Sequence, residues 1–399
     1  MIRDDGFVKE PALWFEVACI ESGKLWFVAG IGNGLFEMDL NTEEVSFLGL
    51  LPEEENDKRR LIGSIIKYED TLVMAPFNGN SFYQYDLLNK NFSKIDCELK
   101  GAAKFFCGKK YGKDIYFIGY LYPVIAKYNV EEQKIIYFSE FQDDILQRIV
   151  KKDESLFRDT ACIRDDILII PSCQSNFLLL FNLTTNTFKI NYINDGNHGF
   201  NAIIEDNDRY YLISRRGKQI YQWDYDTNDS TIITEYSDRI INKIECYGYA
   251  VGCRGKTIIV DLYSSNGVVI DNSNKKLTSF TNLLPVEICK NNVANLSQST
   301  LWIGVFGEKI YYFSVFNCYL YELNLCTKEI HRYKIELTTE RLPAYLQAIS
   351  TSGNVLFEEM AYCGINNFLK FPKNKNGGNV LSPDNGNKIY NKIKGLLIS

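Results

Sequence analysis

One pattern recurs along the 399 residues and limits the fold more than anything else in the chain. An apolar run ends in an acidic or amide residue, a polar turn follows, and a second apolar run begins. The copies are Phe36-Glu37-Met38-Asp39-Leu40-Asn41-Thr42, Tyr85-Asp86-Leu87-Leu88-Asn89-Lys90, Tyr128-Asn129-Val130-Glu131-Glu132, Phe181-Asn182-Leu183-Thr184-Thr185-Asn186, Trp223-Asp224-Tyr225-Asp226-Thr227-Asn228, Val260-Asp261-Leu262-Tyr263-Ser264 and Leu323-Asn324-Leu325-Cys326-Thr327. The marker residues Asp39, Asp86, Asn129, Asn182, Asp224, Asp261 and Asn324 fall at intervals of 47, 43, 53, 42, 37 and 63 residues. A period of about 40–50 residues built from short strands is the mark of a propeller array, in which each unit buries its apolar faces only by stacking on its neighbours.

Two more strands precede each marker. The expected first strands are Trp14–Ile20, Leu61–Lys67, Ala102–Cys107, Thr160–Ile163, Phe200–Glu205, Ile240–Glu245 and Leu301–Phe306. The expected second strands are Leu25–Gly30, Thr71–Pro76, Asp114–Gly119, Ile167–Pro171, Arg209–Ser214, Tyr247–Gly252 and Lys309–Ser314. Turn residues such as Glu21-Ser22-Gly23-Lys24 separate them. Four strands per unit is the content of one blade, so the expectation is an all-β propeller of four-stranded blades.

An eighth, partial copy runs through Tyr345–Ser350, Asn354–Glu359 and Ile365–Phe371. Three unpaired strands would leave an aggregation-prone edge. Eight blades are therefore expected, seven full and one completed by Gly6–Lys9, with seven blades as the alternative. On this reading residues 1–371 form a single propeller domain. Residues 372–399 form a tail whose short helix gathers Ile389, Ile393, Leu396 and Leu397 on one face. Phe141–Glu154 has helical apolar spacing, and Asn272–Ser299 reads as a long loop.

Composition narrows the function classes. Lys plus Arg is 44 against 50 for Asp plus Glu, a net charge of −6, which excludes a generally basic nucleic-acid binder. Eleven cysteines and two histidines are present, with no CxxC pair. The cysteines read as small buried apolar residues in a reducing compartment, and neither a disulfide framework nor a zinc site is expected. Met1-Ile2-Arg3-Asp4-Asp5-Gly6 has no signal-peptide pattern, and no apolar run reaches the roughly 20 residues that span a bilayer. The expected setting is cytoplasmic, away from membranes.

At the repeat itself the chain resembles the kelch-type β-propellers. The nearest unit is Leu25-Trp26-Phe27-Val28-Ala29-Gly30, followed by Leu35-Phe36-Glu37-Met38-Asp39-Leu40-Asn41-Thr42 and Leu50-Leu51-Pro52. The outline holds over residues 12–371. The Gly-Gly doublet of kelch units is replaced by Ala29-Gly30 in the first unit, Ala75-Pro76 in the second and Ser214-Arg215 in the fifth. The resemblance implies a propeller and leaves function open, because the family hosts scaffolds, ligand readers and a few enzymes.

If the chain enters each blade at the inner strand, loops between second and third strands share a face with the loops between blades. That face collects bases: Arg59 and Arg60, Arg158, His198, Arg215, Arg216, Lys218, Arg239, Arg254 and Lys256. Guanidinium forks around a channel mouth suit carboxylate, phosphate or an acidic peptide. The plainer reading is solvated loop charge. Tyr120, Tyr122, Phe77 and Phe316 lie in or beside the same loops and have the character of interface anchors. The run from Glu53 to Arg60 reads as a solvated loop, and the recurrent aspartates read as turn formers. Gly30-Ile31-Gly32-Asn33-Gly34 has no helix behind it to hold a phosphate, and no other nucleotide or metal motif is present.

The leading expectation is a non-catalytic propeller that binds a protein or peptide partner, acidic if the arginines carry the contact, through the loop-bearing face. No cofactor, metal or nucleic acid is expected. The rival is a binder of, or an enzyme acting on, a small anion at the channel mouth, such as a sugar acid or a phosphorylated metabolite.

Overall fold

The computed structural model describes residues 13–345 apart from short stretches at 31–32, 55–59, 148–153, 159, 194–198, 207–208, 216–218, 236–248, 261–266, 275, 281–299, 315–318, 339–340 and 342–343. Seven four-stranded antiparallel sheets fill this span. Blade 1 holds β1 (Ala18–Glu21), β2 (Lys24–Val28), β3 (Gly34–Asp39) and β4 (Val45–Leu50). Blade 2 holds β5 (Ile62–Tyr68), β6 (Thr71–Pro76), β7 (Ser81–Asp86) and β8 (Asn91–Asp96). Blade 3 holds β9 (Phe105–Tyr111), β10 (Asp114–Gly119), β11 (Ile125–Asn129) and β12 (Lys134–Phe138). A short helix, α1 (Gln142–Leu146), buries Ile145 and leads to blade 4: β13 (Cys162–Arg164), β14 (Ile167–Pro171), β15 (Phe177–Asn182) and β16 (Phe188–Tyr192). Blade 5 holds β17 (Phe200–Asp206), β18 (Arg209–Ser214), β19 (Gln219–Trp223) and β20 (Ser230–Glu235). Blade 6 holds β21 (Tyr249–Cys253), β22 (Lys256–Val260), β23 (Gly267–Asp271) and β24 (Lys276–Phe280). Blade 7 holds β25 (Thr300–Phe306), β26 (Lys309–Ser314), β27 (Tyr319–Asn324) and β28 (Ile330–Lys334).

Within each blade every strand pairs with its neighbour in sequence. The second and third strands are covered on both faces, so they read as almost unbroken apolar runs, as in Ile167–Pro171 and Phe177–Asn182. Their alternate side chains go to opposite neighbours. In β2, Trp26 and Val28 join the core shared with blade 2, whereas Leu25 and Phe27 join the core shared with blade 7. Seven such cores, one between each pair of neighbouring blades, hold nearly all the described buried apolar residues; Phe77, Phe106 and Cys173 are buried outside them.

The ring closes directly from blade 7 to blade 1. β25 lies beside β1, and the Leu13 amide donates to the Ile335 carbonyl at 2.8 Å. Phe15 stacks on Phe27 at 4.6 Å and on Phe313 at 4.2 Å across the seam. An eighth sheet would have to part these rings, so the expectation of eight blades is corrected to seven. Tyr345, the start of the supposed eighth copy, is buried with its ring 5.1 Å from both Phe36 and Phe47 of blade 1. Gly6–Lys9, Asn354–Glu359, Ile365–Phe371 and the tail helix of residues 372–399 lie outside the described residues.

Blade 6 is the second correction. Tyr249–Cys253 is its first strand, not its second, and the fourth strand Lys276–Phe280 lies within the stretch read as a loop. Fourth strands are half-wetted outer edges, as the exposure of Ile136, Tyr192, Ile232 and Ile330 attests, so a polar sequence is no bar to one. The marker of this blade is Asp271. Asp261 lies outside the described residues, and replacing it by Asp271 regularises the intervals to 47, 43, 53, 42, 47 and 53.

Each marker builds the turn between third and fourth strands. Asp39 accepts from the Asn41 and Thr42 amides at 2.8 and 3.1 Å, Asp86 from Leu88 and Asn89 at 2.8 Å, and Asn182 from Thr184 and Thr185 at 2.9 and 2.7 Å. Asp224, Asp271 and Asn324 repeat the arrangement. The residue four places on is left-handed in every described copy: Glu43, Lys90, Gln133, Asn186, Asn228 and Lys328 have φ between 50° and 62°. The backbone amides of the turns hold the carboxyls of Asp39, Asp86 and Asp224 below the ordinary range, and for Asp271 the Ser273 hydroxyl leads.

Candidate functional site

The inner strands run from the loop-bearing face to the turns between first and second strands, which places the sequence-selected residues on one face or the other. Arg60, Arg158, Arg215, Tyr120 and Tyr122 are on the loop-bearing face. Arg254 is not. It occupies the β21–β22 turn with φ +50°, on the opposite face, where its guanidinium pairs with Glu308 and lies 3.4 Å from Cys326 Sγ. The cause is the one-strand shift in blade 6. His198, Arg216, Arg239 and the expected anchor Phe316 lie outside the described residues.

A belt of backbone hydrogen bonds ties this face together from blade 1 to blade 5. Arg60 N donates to Gly30 O, Asn78 N to Arg60 O, Lys104 N to Phe77 O and Tyr120 N to Lys104 O. Leu156 N then donates to Tyr120 O, Cys173 N to Leu156 O, Phe200 N to Ser172 O and Arg215 N to Gly199 O. Each link joins a loop within a blade to a loop between blades, so the loops form one stitched surface. The fit is tight enough to demand glycine: a Cβ on Gly63 would sit 1.9 Å from the Phe105 carbonyl oxygen of the next inner strand.

The bases of this face are built into that surface. Arg60 Nε lies 2.6 Å from a Glu16 carboxylate oxygen, and the guanidinium carbon is 4.2 Å from the centre of the Phe77 ring and 4.4 Å from that of Phe106. Tyr120 packs against both rings, at 5.3 and 5.4 Å. The two rings meet edge to face with their centres 5.8 Å apart, so Arg60 is a neutralised cation capping the corner they form, with about a quarter of its side chain exposed. Arg215 is buried, 3.5 Å from a Glu154 oxygen, and donates to the Cys173 carbonyl at 3.4 Å. Arg158 is half-buried before blade 4 and engaged with its surroundings. The Tyr122 hydroxyl donates to the Lys100 carbonyl. Arg60 and Arg215 each stand beside a glutamate, and among the described residues no cluster of solvated guanidinium groups forms on this face.

The acidic run before Arg60 also differs from its sequence reading. Glu54 is buried and accepts from the Tyr83 hydroxyl at 2.9 Å and from the Asn80 amide, bracing blade 2. Burial and the Glu54 charge together push the Tyr83 hydroxyl far above its ordinary range. Sequence reasoning missed Glu16, Glu154 and Phe106, because their roles exist only across blades.

A second feature lies along the axis. The inner strands β9, β13, β17, β21 and β25 enclose a cavity of about 500 Å³ on the side of the β1–β2-type turns. Its charged lining residues are Lys109, Lys110 and Glu205; Thr160, Cys162, Ile203, Ile204, Val251 and Val305 are among the others. The Lys109-Lys110 doublet lies just past the expected first strand Ala102–Cys107, within the longer observed β9, and nothing in the sequence placed it against a cavity. Among the described residues no group of three or more His, Cys, Asp or Glu side chains is arranged to hold a metal ion, and no helix is long and apolar enough to cross a membrane.

The fold defines the class as a seven-bladed β-propeller. No family model and no curated protein matches the chain in sequence. Among solved structures it is similar to virginiamycin B lyase from Staphylococcus aureus, at 12% identity and a TM-score of 0.57 over 77% of this chain and 92% of that one. A catalytically inactive variant of that lyase, solved with quinupristin, aligns at 12% identity and a TM-score of 0.58 over 82% and 96% of the two chains. PorZ, a surface component of the type-IX secretion system of Porphyromonas gingivalis, aligns at 13% identity and a TM-score of 0.55, over 82% of this chain and 39% of PorZ. At these identities the likeness is one of fold, and it does not single out the kelch type.

Proposed function

We propose that this propeller is a non-catalytic binding module that docks a protein or peptide on the loop-bearing face of blades 1 to 3. The observation that carries the reading is the stitched belt presenting half-exposed Tyr120 on the two rings that Arg60 caps, with half-exposed Tyr122 in the same loop. Tyr and Arg held in place on a rigid support are the residue types that dominate binding hot spots, and a surface ordered before binding loses little entropy on docking. The partner need not be acidic, because Glu16 and Glu154 already neutralise Arg60 and Arg215. The kelch-like outline of the repeat fits a scaffold of this kind. We place it in the cytoplasm on the strength of its cysteines, since those described are free thiols.

The test is quantitative affinity capture from a native extract with wild-type protein and with Tyr120→Ala plus Tyr122→Ala, both checked for folding by circular dichroism. A partner retained by wild type and lost from the double variant is the expected result. If the two baits capture the same proteins in the same amounts, the reading is wrong.

A further inference from the structure

The axial cavity carries an inference independent of the loop-bearing face. We infer that the turn-side half of the channel binds a small organic anion, its charged group held by Lys109 and Lys110 and its apolar body lying against Ile163, Ile204, Val251 and Val305.

Charge balance is the first support. Register puts Lys67, Lys110 and Glu205 at one level, each a residue short of the last pair before its turn. Lys67 is taken by Glu21 at 2.9 Å. Glu205 has neighbours of its own. Neither Lys109 nor Lys110 has an ion-pair partner among the described residues, and of the lining groups only Glu205 is an acid. A chain of net charge −6 therefore lines this cavity with two cations and one anion. The neighbouring thiols do not change the balance. Burial pushes Cys19 up to about 11 and Cys162 up to about 12, against the opposing pull of Lys67 and Lys110 on the one and Lys109 on the other, so both stay neutral near pH 7.

Shape is the second support. About 500 Å³ falls within the roughly 300–1,000 Å³ range of small-molecule sites. Small residues keep the space open: Ala161, Ala250 and Gly252 all line it, and a Cβ on Gly252 would come within 2.8 Å of Ile204 Cγ2. Aliphatic walls below two ammonium groups suit a carboxylate or phosphate ester with a short hydrocarbon body better than a bare inorganic ion.

Isothermal titration of the full chain with hexanoate, hexyl phosphate and inorganic phosphate tests this. Three proteins are compared: wild type, Lys109→Gln plus Lys110→Gln, and Lys134→Gln plus Lys189→Gln, which removes the same charge from exposed outer strands. The expected result is that hexanoate or hexyl phosphate binds wild type and the outer-strand variant alike, and binds the channel variant at least about tenfold more weakly. Whichever probe binds more tightly identifies the charged group. The proposal is overturned if neither organic anion binds wild type, if the channel variant binds as tightly as wild type, or if inorganic phosphate binds as tightly as hexyl phosphate. None of these outcomes bears on Tyr120 and Tyr122, so failure here and failure of the docking reading are distinguishable.

Discussion

The two ends of the propeller use positive charge in opposite ways. On the loop-bearing face Arg60 and Arg215 are absorbed into the scaffold, each beside a glutamate, and Arg60 is also clasped by two rings. At the turn side of the channel Lys109 and Lys110 line open space without an ion-pair partner among the described residues. The number of basic residues on a face therefore says little about anion binding. What decides is whether a carboxylate from another blade has already claimed the charge.

The comparison can be broken most forcefully at Gly63. On the loop-bearing side the inner strands β5 and β9 meet backbone to backbone, so Gly63→Ala must displace the Phe105 carbonyl. A loss of about 3 kcal/mol is expected by chemical denaturation. A near-neutral result would mean that this end is looser than described. Arg60→Ala comes next. It removes a cation from the faces of two rings and leaves Glu16 partly buried without its partner, so about 2 kcal/mol of stability should go. A solvated loop arginine would cost almost nothing.

Acid acts on the turn side. The folded-state carboxyls of Asp39, Asp86, Asp224 and Asp271 are held below their unfolded values. A lowered pKa gives stability that is complete above the ordinary carboxylate range and is lost as pH falls through the folded value. The melting temperature should therefore drop below about pH 4. Replacing these four aspartates by asparagine, which keeps the accepting oxygen, should flatten the drop. The smallest effect belongs to the channel: Lys109→Gln plus Lys110→Gln should change stability by no more than about 0.5 kcal/mol, because no ion pair among the described residues is broken. A large loss there would make the lysines structural, like Arg60, and would erase the difference between the two ends.

Much of the architecture was legible because it rests on local chemistry. Asp39, Asp86 and Asn182 bond to amides two and three residues on, so the turn appears in the sequence as a fixed offset. Strands covered on both faces appear as apolar runs such as Phe177–Asn182. Blade 6 slipped by one strand because its outer strand, Lys276–Phe280, lacks the apolar signature and its true marker, Asp271, stands ten residues beyond the one chosen. That single slip carried Arg254 to the wrong face.

The sequence by itself determined the repeat, the four-strand unit and its turns, since each depends on residues within one blade. Tertiary structure alone decided the number of blades, the fate of each arginine and the cavity on the axis. Closure rests on Leu13 meeting Ile335 and on Phe15 stacking against Phe313, pairs about three hundred residues apart. Arg60 is neutralised by a residue of blade 1 and clasped by rings from the loops and strands of blades 2 and 3. The closure contacts exist only once the ring has closed, and those of Arg60 only once blades 1 to 3 have packed, because the chain must bring separated segments together before they can form.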